Sequence, residues 1–406
     1  MDRKVKLGLI GMGGRGIGTL DGVLLKLQDK IEIVGVCDLY PDRAKQGADM
    51  VEKEWGVRPF ETTCYKELIH HSDVEAVMVM SAWESHIKLA IEAMKAKKPV
   101  GVEVAGAYSI QQLWDLVHTY EETKTPIMML ENCCYGRPEL MILNMVKQGV
   151  MGEIVHCKGG YEHDLRSEIA YGIENRHYRL RNYINRNCDN YPTHQLGPIA
   201  KILDINRGNR MLTVNSVGSK SVGMKEYLKK YKSDDEALMN TNFMQSDVVT
   251  TIIKCAHGET ITLTLNTTLP RSYSRGFEVC GTKGMFCADT NSIILDDGEE
   301  FWKPQLNSAD KYKEQYEHPI WVKCDQEGEL GYHGGMDGLV VSAFLDAIVN
   351  DYPMPIDVYD MASWMSISAL SEISIAKGGA PVEVPDFTNG EWISRRDTSE
   401  SFYALK

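Results

Sequence analysis

The stretch Val5–Gly16, VKLGLIGMGGRG, decides how the chain begins to fold. Its first half is apolar enough for a buried strand, and its second half is a glycine-rich turn that leads into an apolar helical pattern. Gly11, Gly13 and Gly16 fit the spacing G-x-G-x-x-G, which is typical of a dinucleotide-binding fold when a strand precedes it and a helix follows. The alternative is a glycine turn that only packs a helix onto a strand.

An acidic residue follows the next strand. This strand, predicted over Ile31–Cys37, ends at Asp38, 22 residues after Gly16. A carboxylate there can bind both ribose hydroxyls of an adenosine half and repels a 2′-phosphate. The sequence therefore favours NAD(H) over NADP(H), although Arg43 lies close enough to leave the phosphorylated cofactor open.

Strands and helices alternate as far as residue 132, which predicts a doubly wound parallel sheet of the Rossmann type. Ligands bind such sheets at the carboxyl ends of the strands. Polar residues at these ends are Ser81, Glu103, Glu131 and Asn132, each a candidate site residue or a satisfied loop residue. The predicted helices between the strands are Pro41–Trp55, Glu84–Lys97 and Ser109–Thr123, the last with Ser109 as N-cap.

The pattern changes after residue 133. Pro138–Gln148 reads as a helix, and strand-like segments separated by short turns run from Val248 to Ala288, which predicts antiparallel hairpins. Residues 224–240 are charged and expected to be exposed. We expect an α/β chain with an NAD-binding Rossmann domain at 1–133 and a C-terminal α+β domain with a largely antiparallel sheet at 134–406.

A phenol and an imidazole lie three residues apart in Tyr191–Pro198, YPTHQLGP. Pro192 suits the first turn of a helix, and Tyr191 and His194 would then share one face as a candidate acid/base pair. The alternative is a pair of packed core residues. Residues 170–190, rich in arginine and aromatic side chains, indicate a wall over a polar ligand or a surface loop with ion pairs.

Composition excludes several classes of protein. A net charge of −13 argues against nucleic-acid or anionic-membrane partners, and no apolar run approaches the roughly 18 residues that cross a bilayer. The ten cysteines form no C-x-x-C pair, which favours a reducing compartment and no metal site. No signal-peptide pattern follows Met1, so we expect a cytoplasmic protein, with a periplasmic location open if a leader has been removed.

The N-terminal domain, the segment around Glu103 and the C-terminal sheet resemble the Gfo/Idh/MocA oxidoreductase family. That family usually carries Glu-Lys-Pro with a catalytic lysine, where this chain has Glu103-Val104-Ala105. A closer resemblance is to glycoside hydrolase family 109, the NAD-dependent α-N-acetylgalactosaminidases. It is carried by five blocks, Glu103-Val104, Glu131–Tyr135 (ENCCY), Tyr161–Arg166 (YEHDLR), Tyr191–Pro198 and Arg271–Arg275 (RSYSR). Departures are Cys188, where the family has glycine, and a short loop at 167–179.

The resemblance implies a glycosidase that uses tightly bound NAD⁺ in an oxidation–elimination–addition–reduction cycle, acting on terminal N-acetylgalactosamine or a related glycoside. It implies His194 and Tyr191 as the catalytic pair. The residues it implies for substrate binding are Glu131, Tyr161, Arg179 and Tyr273. Those it implies for the cofactor are Gly11, Met12, Gly13, Arg15, Gly16, Asp38, Ser81, His86, Glu103 and Asn132.

Three functions stay open at this point. Besides the glycosidase, they are an NAD-dependent sugar or cyclitol dehydrogenase with net oxidation and a non-catalytic NAD-binding sensor. His86, which opens a predicted helix, is either a cofactor residue or a capping or core residue. We expect a homo-oligomer, a dimer or larger, because the open sheet of the superfamily often forms dimers.

Overall fold

The computed structural model describes residues 3–298, 302–303, 305–328 and 333–406. Its strands are β1 (Val5–Ile10), β2 (Ile31–Cys37), β3 (Phe60–Thr62), β4 (Ala76–Val79), β5 (Val100–Val102), β6 (Ile127–Met129), β7 (Ile154–Glu162), β8 (Met211–Gly218), β9 (Val248–Cys255), β10 (Thr260–Asn266), β11 (Glu278–Gly281), β12 (Gly284–Cys287), β13 (Ser292–Leu295) and β14 (Val382–Glu383).

The α-helices are α1 (Gly14–Gly22), α2 (Pro41–Trp55), α3 (Tyr65–Ile69), α4 (His86–Lys95), α5 (Ile110–Thr123), α6 (Arg137–Lys147), α7 (Arg166–Ala170), α8 (Arg179–Asn185), α9 (Thr193–Ile202), α10 (Gly223–Tyr231), α11 (Glu236–Met239), α12 (Lys313–Tyr316), α13 (Pro319–Glu327), α14 (Met336–Asn350) and α15 (Val358–Ala376). Short 3₁₀ turns occur at Leu24–Leu27, Trp83–Ser85, Asn132–Tyr135, Ser308–Tyr312 and Glu391–Ile393.

The chain divides into two compact units. The first unit comprises Met1–Leu140, Glu317–Ala362 and Arg396–Lys406, and the second unit comprises Met141–Tyr316 and Ser363–Arg395. The domain boundary predicted between residues 133 and 134 stays a prediction. The predicted boundary did not include the return of the chain to the first unit, in the segments Glu317–Ala362 and Arg396–Lys406.

The first unit is built on a six-stranded parallel sheet in the order β3-β2-β1-β4-β5-β6. Strand β1 lies in the middle, where Leu7 and Leu9 are fully buried. Strand order reverses between β1 and β4, which makes a crevice at the carboxyl ends of these strands. The predicted Rossmann-type sheet is thereby confirmed.

Two helices of the first unit show how local sequence sets their ends. Helix α2 begins at Pro41, which needs no N–H partner there, and stops at Gly56, which has a left-handed φ of +72°. Helix α5 follows its predicted N-cap, since the Ser109 hydroxyl accepts a hydrogen bond from the backbone N of Gln112 at 3.2 Å. Helix α4 begins at His86 rather than Glu84, because residues 83–85 form a 3₁₀ turn.

The second unit contains an eight-stranded, mostly antiparallel sheet in the order β13-β12-β11-β7-β10-β9-β8-β14. A single parallel pair, β7 with β10, lies inside it among the described residues. In β10, Ile261, Leu263 and Leu265 are buried and alternate with threonines, so one face of the strand belongs to the core. The largely antiparallel sheet predicted for this half of the chain is confirmed.

Helix α9 packs against β7 and brings the loop before it onto the sheet. The approach is close at Gly159, where an added Cβ would lie 2.2 Å from Cγ of Gln195. The segment predicted as an exposed stretch at 224–240 contains α10 and α11, with Met224, Leu228 and Leu238 buried. Most residues of the segment are exposed, as predicted, and one apolar residue per turn is enough to hold a short amphipathic helix on a core.

Strands β3, β8 and β13 were not predicted, and β14 pairs with β8 at the edge of the second sheet. The helix predicted from Tyr191 begins instead at Thr193. Within the described part of the chain, no helix is both long and apolar enough to cross a membrane.

Candidate functional site

The glycine-rich loop of the first unit lies against the end of β4. Gly11 has a φ of +98°, and a Cβ there would come within 2.6 Å of the backbone N of Ser81. A Cβ on Gly16 would lie 1.9 Å from the carbonyl oxygen of Gly11. At Gly13, by contrast, the nearest atom to an added Cβ is Nη1 of Arg43 at 3.5 Å. The loop is thus closed on its inner side and open where a phosphate can approach.

The N-terminus of α1 adds donors to this loop. No side chain caps it, and its first turn holds no acidic residue. The first N–H groups of a helix have no partner within the helix and favour negative charge. This end of the helix therefore has the properties of an anion site.

Asp38 is held at the end of β2 by two backbone donors. The N–H of Met12 donates to its Oδ2 at 2.7 Å, and the N–H of Tyr40 donates to its Oδ1 at 2.9 Å. Each oxygen keeps a lone pair for a hydroxyl donor. The guanidinium of Arg43 stacks over the Tyr40 ring at 5.1 Å. Asp38 is thus fixed in a position to receive ribose hydroxyls.

A charged network lies on the other side of β1. Nε of Arg15 donates to Oε1 of Glu103 at 2.7 Å, and its Nη1 and Nη2 donate to the two oxygens of Asp337 at 2.8 and 3.0 Å. Asp337 also accepts from Nδ2 of Asn132 at 2.6 Å and faces Nδ1 of His333 at 2.9 Å. The structure thus joins Arg15, Glu103 and Asn132, three predicted cofactor residues, through a buried carboxylate.

Asp337 was missed from the sequence. Burial opposes its ionisation, but the hydrogen bonds from His333 and Arg15 outweigh burial and hold the pKa of Asp337 well below its usual range. It lies in the first turn of α14, where an acidic residue is common and signals nothing by itself. No spacing rule connects such a residue to an arginine more than 300 positions earlier.

His86 ties the ends of two strands together. Its ring is almost fully buried, with Nδ1 3.0 Å from the carbonyl oxygen of Ala105 and Nε2 2.9 Å from that of Ser81. Burial lowers its pKa, and a neutral ring donates to only one carbonyl at a time. Both ring nitrogens face backbone carbonyl oxygens, as expected for the capping or core residue that the sequence left open. Its direct contact with a cofactor stays a prediction.

Glu131 follows β6 and is fully buried. Its Oε1 accepts from the backbone N of Cys133 at 3.2 Å and caps the 3₁₀ turn Asn132–Tyr135. Its predicted contact with substrate stays a prediction. At Val104, where the broader superfamily carries lysine, the side chain is buried and apolar.

In the second unit, three rings meet where β7 ends and α9 begins. The centroids of Tyr161 and Tyr191 are 4.4 Å apart, those of Tyr191 and His194 are 4.7 Å apart at 89°, and those of Tyr161 and His194 are 5.5 Å apart. Tyr191 precedes the helix, so the pair does not share a helical face as predicted. The turn into α9 brings the phenol and the imidazole together instead.

Tyr273 reaches the same cluster from the loop between β10 and β11. A backbone pair between Glu162 and Ser274, at 2.9 and 3.0 Å, and an ion pair between Arg271 and Glu162 hold this loop on β7. The Tyr273 ring lies 6.1 Å from that of Tyr161 and is half exposed. Tyr273 thus lies on the accessible side of the cluster.

His163 is a second imidazole that sequence reasoning gave no role. Its Nδ1 lies 3.0 Å from the Tyr161 hydroxyl, and its ring contacts Tyr273 edge to face at 5.2 Å. Burial and the charge of Arg179 lower its pKa. The available signal was the two-residue spacing from Tyr161, which puts both side chains on the same side of the extended chain where β7 ends.

Arg179 begins α8 and is buried. Its guanidinium lies 5.4 Å from the Tyr191 ring centroid and 5.6 Å from that of Tyr178, and it forms an ion pair with Glu168. The loop expected over residues 170–190 is thus partly helical. It contains the ion pair between Arg179 and Glu168, and its role as a wall over a polar ligand stays a prediction.

Buried polar atoms collect around the start of α9. Burial raises the pKa of Asp189 to about 7, and its backbone N donates to Oγ of Ser371 at 2.9 Å. Oδ2 of Asp189, Oγ1 of Thr193 and both amide atoms of Gln195 find no hydrogen-bond partner among the described residues. Such concentrations are rare in structural cores and mark candidate functional sites.

Two family models match the chain. Residues 135–394 match the model described as glycosyl hydrolase 109, C-terminal domain. Residues 5–130 match the oxidoreductase family with an NAD-binding Rossmann fold. The two matches together span both halves of the chain.

Full-length relatives agree with the family models. A glycosyl hydrolase family 109 protein of Stenotrophomonas maltophilia is 37% identical over 97% of this chain and 91% of its own length. An α-N-acetylgalactosaminidase of Tannerella forsythia is 36% identical over 97% of this chain and 88% of its own length. Among solved structures, scyllo-inositol dehydrogenase of Lactobacillus casei with bound NAD(H) and scyllo-inositol matches with a TM-score of 0.65. It is 16% identical, over 94% of this chain and 99% of that one, and shows the shared fold.

Proposed function

The chain belongs to glycosyl hydrolase family 109, and on that premise we propose a glycosidase that uses tightly held NAD⁺ in a cycle of oxidation, elimination, addition and reduction. We propose terminal N-acetylgalactosamine or a closely related sugar as its substrate. The observation that carries the proposal is the contact between Tyr161, Tyr191 and His194, which supplies proton-transfer groups to a chain without the superfamily lysine.

The first unit fits the cofactor that the proposal needs. The open side of the loop at Gly13 and the uncapped N-terminus of α1 would hold the pyrophosphate, and Asp38 would hold the adenosine ribose. Glu103 and Asn132 lie beyond the ends of β5 and β6, on the opposite side of β1 from Asp38. Together with Arg15 from the first turn of α1, they would flank the nicotinamide half. When bound, NAD⁺ supplies an acceptor that takes a hydride from the sugar and returns it later in the same turnover.

The second unit supplies the proton chemistry. A sugar oxidised at C3 has an acidic proton at C2, and a neutral histidine can remove that proton near pH 7. The C–H electrons then form a C1=C2 double bond as the C1–O bond breaks, and the leaving oxygen takes up a proton. We propose that His194 and Tyr191 share these proton transfers and those of the reverse addition of water.

The remaining predicted residues would orient the sugar. A buried guanidinium such as that of Arg179 can donate hydrogen bonds to hydroxyl or amide oxygens. The half-exposed ring of Tyr273 suits the outer face of a sugar. The carboxylate of Glu131 can accept from a sugar hydroxyl.

Hydrolysis of an aryl α-N-acetylgalactosaminide in deuterated water tests the proposal. We expect aglycone release without added NAD⁺, deuterium at C2 of the freed sugar and no build-up of NADH. Oxidised sugar with one NADH per molecule, and an intact glycosidic bond, would make the protein a dehydrogenase. If NAD is bound but no aryl α- or β-glycoside of a panel is turned over, a sensor is the better interpretation.

A further inference from the structure

Asp337 is a buried carboxylate of the first unit that accepts four hydrogen bonds. Its side chain is fully buried, and its two oxygens accept from two nitrogens of Arg15, from Asn132 and from His333 at 2.6–3.0 Å. The bidentate pair with Arg15 fixes the plane of the guanidinium as well as its distance. Helix α14, which carries Asp337, packs on the 3₁₀ turn that begins at Asn132.

The network lies toward one half of a dinucleotide. Asp38 follows β2 on one side of β1, whereas Glu103 follows β5 and Asn132 lies beyond β6 on the other side. In doubly wound sheets the two halves of a dinucleotide bind on the two sides of the switch point. With the adenosine ribose at Asp38, the network faces the nicotinamide half.

The charges of the network do not cancel. Arg15 contributes one positive charge, and Glu103 and Asp337 contribute two negative charges. Three of the five N–H donors of Arg15 are directed at carboxylates of the protein itself, so its positive charge is paired within the network.

We propose that Asp337 is a positioning residue of the cofactor site, which orients Arg15 and Asn132 and leaves a net negative charge that favours NAD⁺ over NADH. The inference rests on the proposed use of NAD. The nicotinamide ring is positively charged in NAD⁺ and neutral in NADH, so a nearby negative charge stabilises only the oxidised form. In a partly buried site, one unit of charge changes such a preference by about five- to tenfold.

Competition between NAD⁺ and NADH tests the proposal. Protein is equilibrated with mixtures of the two nucleotides, and the bound nucleotides are quantified after release, which gives the ratio of affinities. Asp337→Asn removes one negative charge at nearly constant shape and should shift the ratio about five- to tenfold toward NADH. A tenfold shift corresponds to about 30 mV in the potential of the bound two-electron couple.

Two arginine variants separate charge from structure. Arg15→Met removes the positive charge and should shift the ratio toward NAD⁺, opposite to Asp337→Asn. Arg15→Lys keeps the charge but loses the bidentate geometry, so both affinities should fall with the ratio unchanged. The matched control is Asp325→Asn, which breaks an exposed ion pair with Arg137 in the same unit and should change nothing.

Equal loss of both nucleotides in Asp337→Asn, or shifts of the same sign in Asp337→Asn and Arg15→Met, would overturn the inference. If Asp337→Asn does not fold, as judged by circular dichroism, the two arginine variants decide: a ratio shifted toward NAD⁺ in Arg15→Met and unchanged in Arg15→Lys supports the inference, and any other pattern overturns it. Wild-type protein that binds neither nucleotide would refute both the inference and the use of NAD. Failure to cleave glycosides, with the ratios as expected, would refute only the proposed hydrolysis.

Discussion

Two buried aspartates, one in each unit, differ in their hydrogen bonding and in the direction in which their pKa values are shifted. Asp337 in the first unit accepts four hydrogen bonds, and its pKa is held well below the usual range. Asp189 in the second unit is as deeply buried, but its Oδ2 has no partner among the described residues, and burial raises its pKa to about 7. The same side chain is a fixed anion in one region and a titratable group in the other.

The difference extends to how each region is built. The cofactor edge of the first unit consists of fixed backbone conformations and of charged groups that are hydrogen-bonded to one another, which suits the rigid binding of a ligand. The ring cluster of the second unit consists of side chains from separate segments, with unsatisfied polar atoms beside them. A site that moves protons needs groups whose protonation can change, and the second region provides them.

In the first unit, we expect a substitution that strains the backbone to have the largest effect. Gly11→Ala puts a Cβ 2.6 Å from the backbone of Ser81 at a φ of +98°, where alanine is strained. We expect NAD affinity to fall at least a hundredfold and the free energy of unfolding to drop by about 2 kcal/mol or more. Nucleotide content after purification and thermal unfolding measure the two effects.

The control is three residues away. Gly14 lies in the first turn of α1, and an added Cβ would meet no atom within 4 Å. Gly14→Ala should therefore retain NAD and be at least as stable as the wild type. If both variants retain NAD equally, the backbone conformation at Gly11 does not determine how tightly this loop binds NAD.

In the second unit, we expect the loss of a single side chain to have the largest effect. His194→Ala should lower turnover of an aryl glycoside by about 10³-fold, in the range expected for the loss of a general base, while NAD stays bound. The matched control is His156→Ala, because His156 lies on β7 of the same sheet and contacts Thr260 outside the cluster. Undiminished turnover in His194→Ala would refute the catalytic role, whichever step it serves.

The same contrast explains what the sequence predicts. The glycine loop, Asp38 and the bounds of α2 depend on residues close in the chain, so spacing and propensity are enough to predict them. Tyr191 and His194 are also local, although a turn rather than a helix brings them together. In each of these elements, the residues that interact are close to one another in the sequence.

The rest depends on contacts that no local pattern encodes. Tyr161 meets Tyr273 only because β7 lies between β10 and β11, and the sequence does not determine that order. The role of Tyr161 was therefore predicted by family resemblance alone. Asp337 meets Arg15 across more than 300 residues, and neither periodicity nor resemblance indicated it.

The two aspartates should respond to pH with opposite signs. Below about pH 4, Asp189 is protonated in both the folded and the unfolded chain. Between pH 4 and 7 the carboxyl group of Asp189 ionises only in the unfolded chain. The free energy of unfolding of the wild type therefore decreases as the pH rises through this range. Relative to wild type, Asp189→Asn should therefore gain on the order of 4 kcal/mol between pH 4 and pH 8.

Asp337→Asn provides the opposite case. The lowered pKa of Asp337 stabilises the fold above about pH 4, and this contribution is lost as the pH falls below that value. The variant should therefore lose most relative to wild type at neutral pH and least in acid. Urea unfolding at several pH values measures both variants, and parallel pH profiles for the two would refute the contrast.

We expect the smallest effect when a single tyrosine hydroxyl is removed, either from the ring cluster or from the core of the same unit. Tyr161→Phe removes the hydroxyl that lies 3.0 Å from Nδ1 of His163, and Tyr183→Phe removes one that lies 2.6 Å from Oγ1 of Thr267. Both are bonds between neutral groups within the second unit, so each loss should cost about 1 kcal/mol of stability. Only Tyr161→Phe should also lower kcat/KM, by about tenfold, because its hydroxyl belongs to the groups that face the sugar in the proposed site. Equal kcat/KM values in the two variants would make Tyr161 a packing residue and leave Tyr191 and His194 as the reactive part of the cluster.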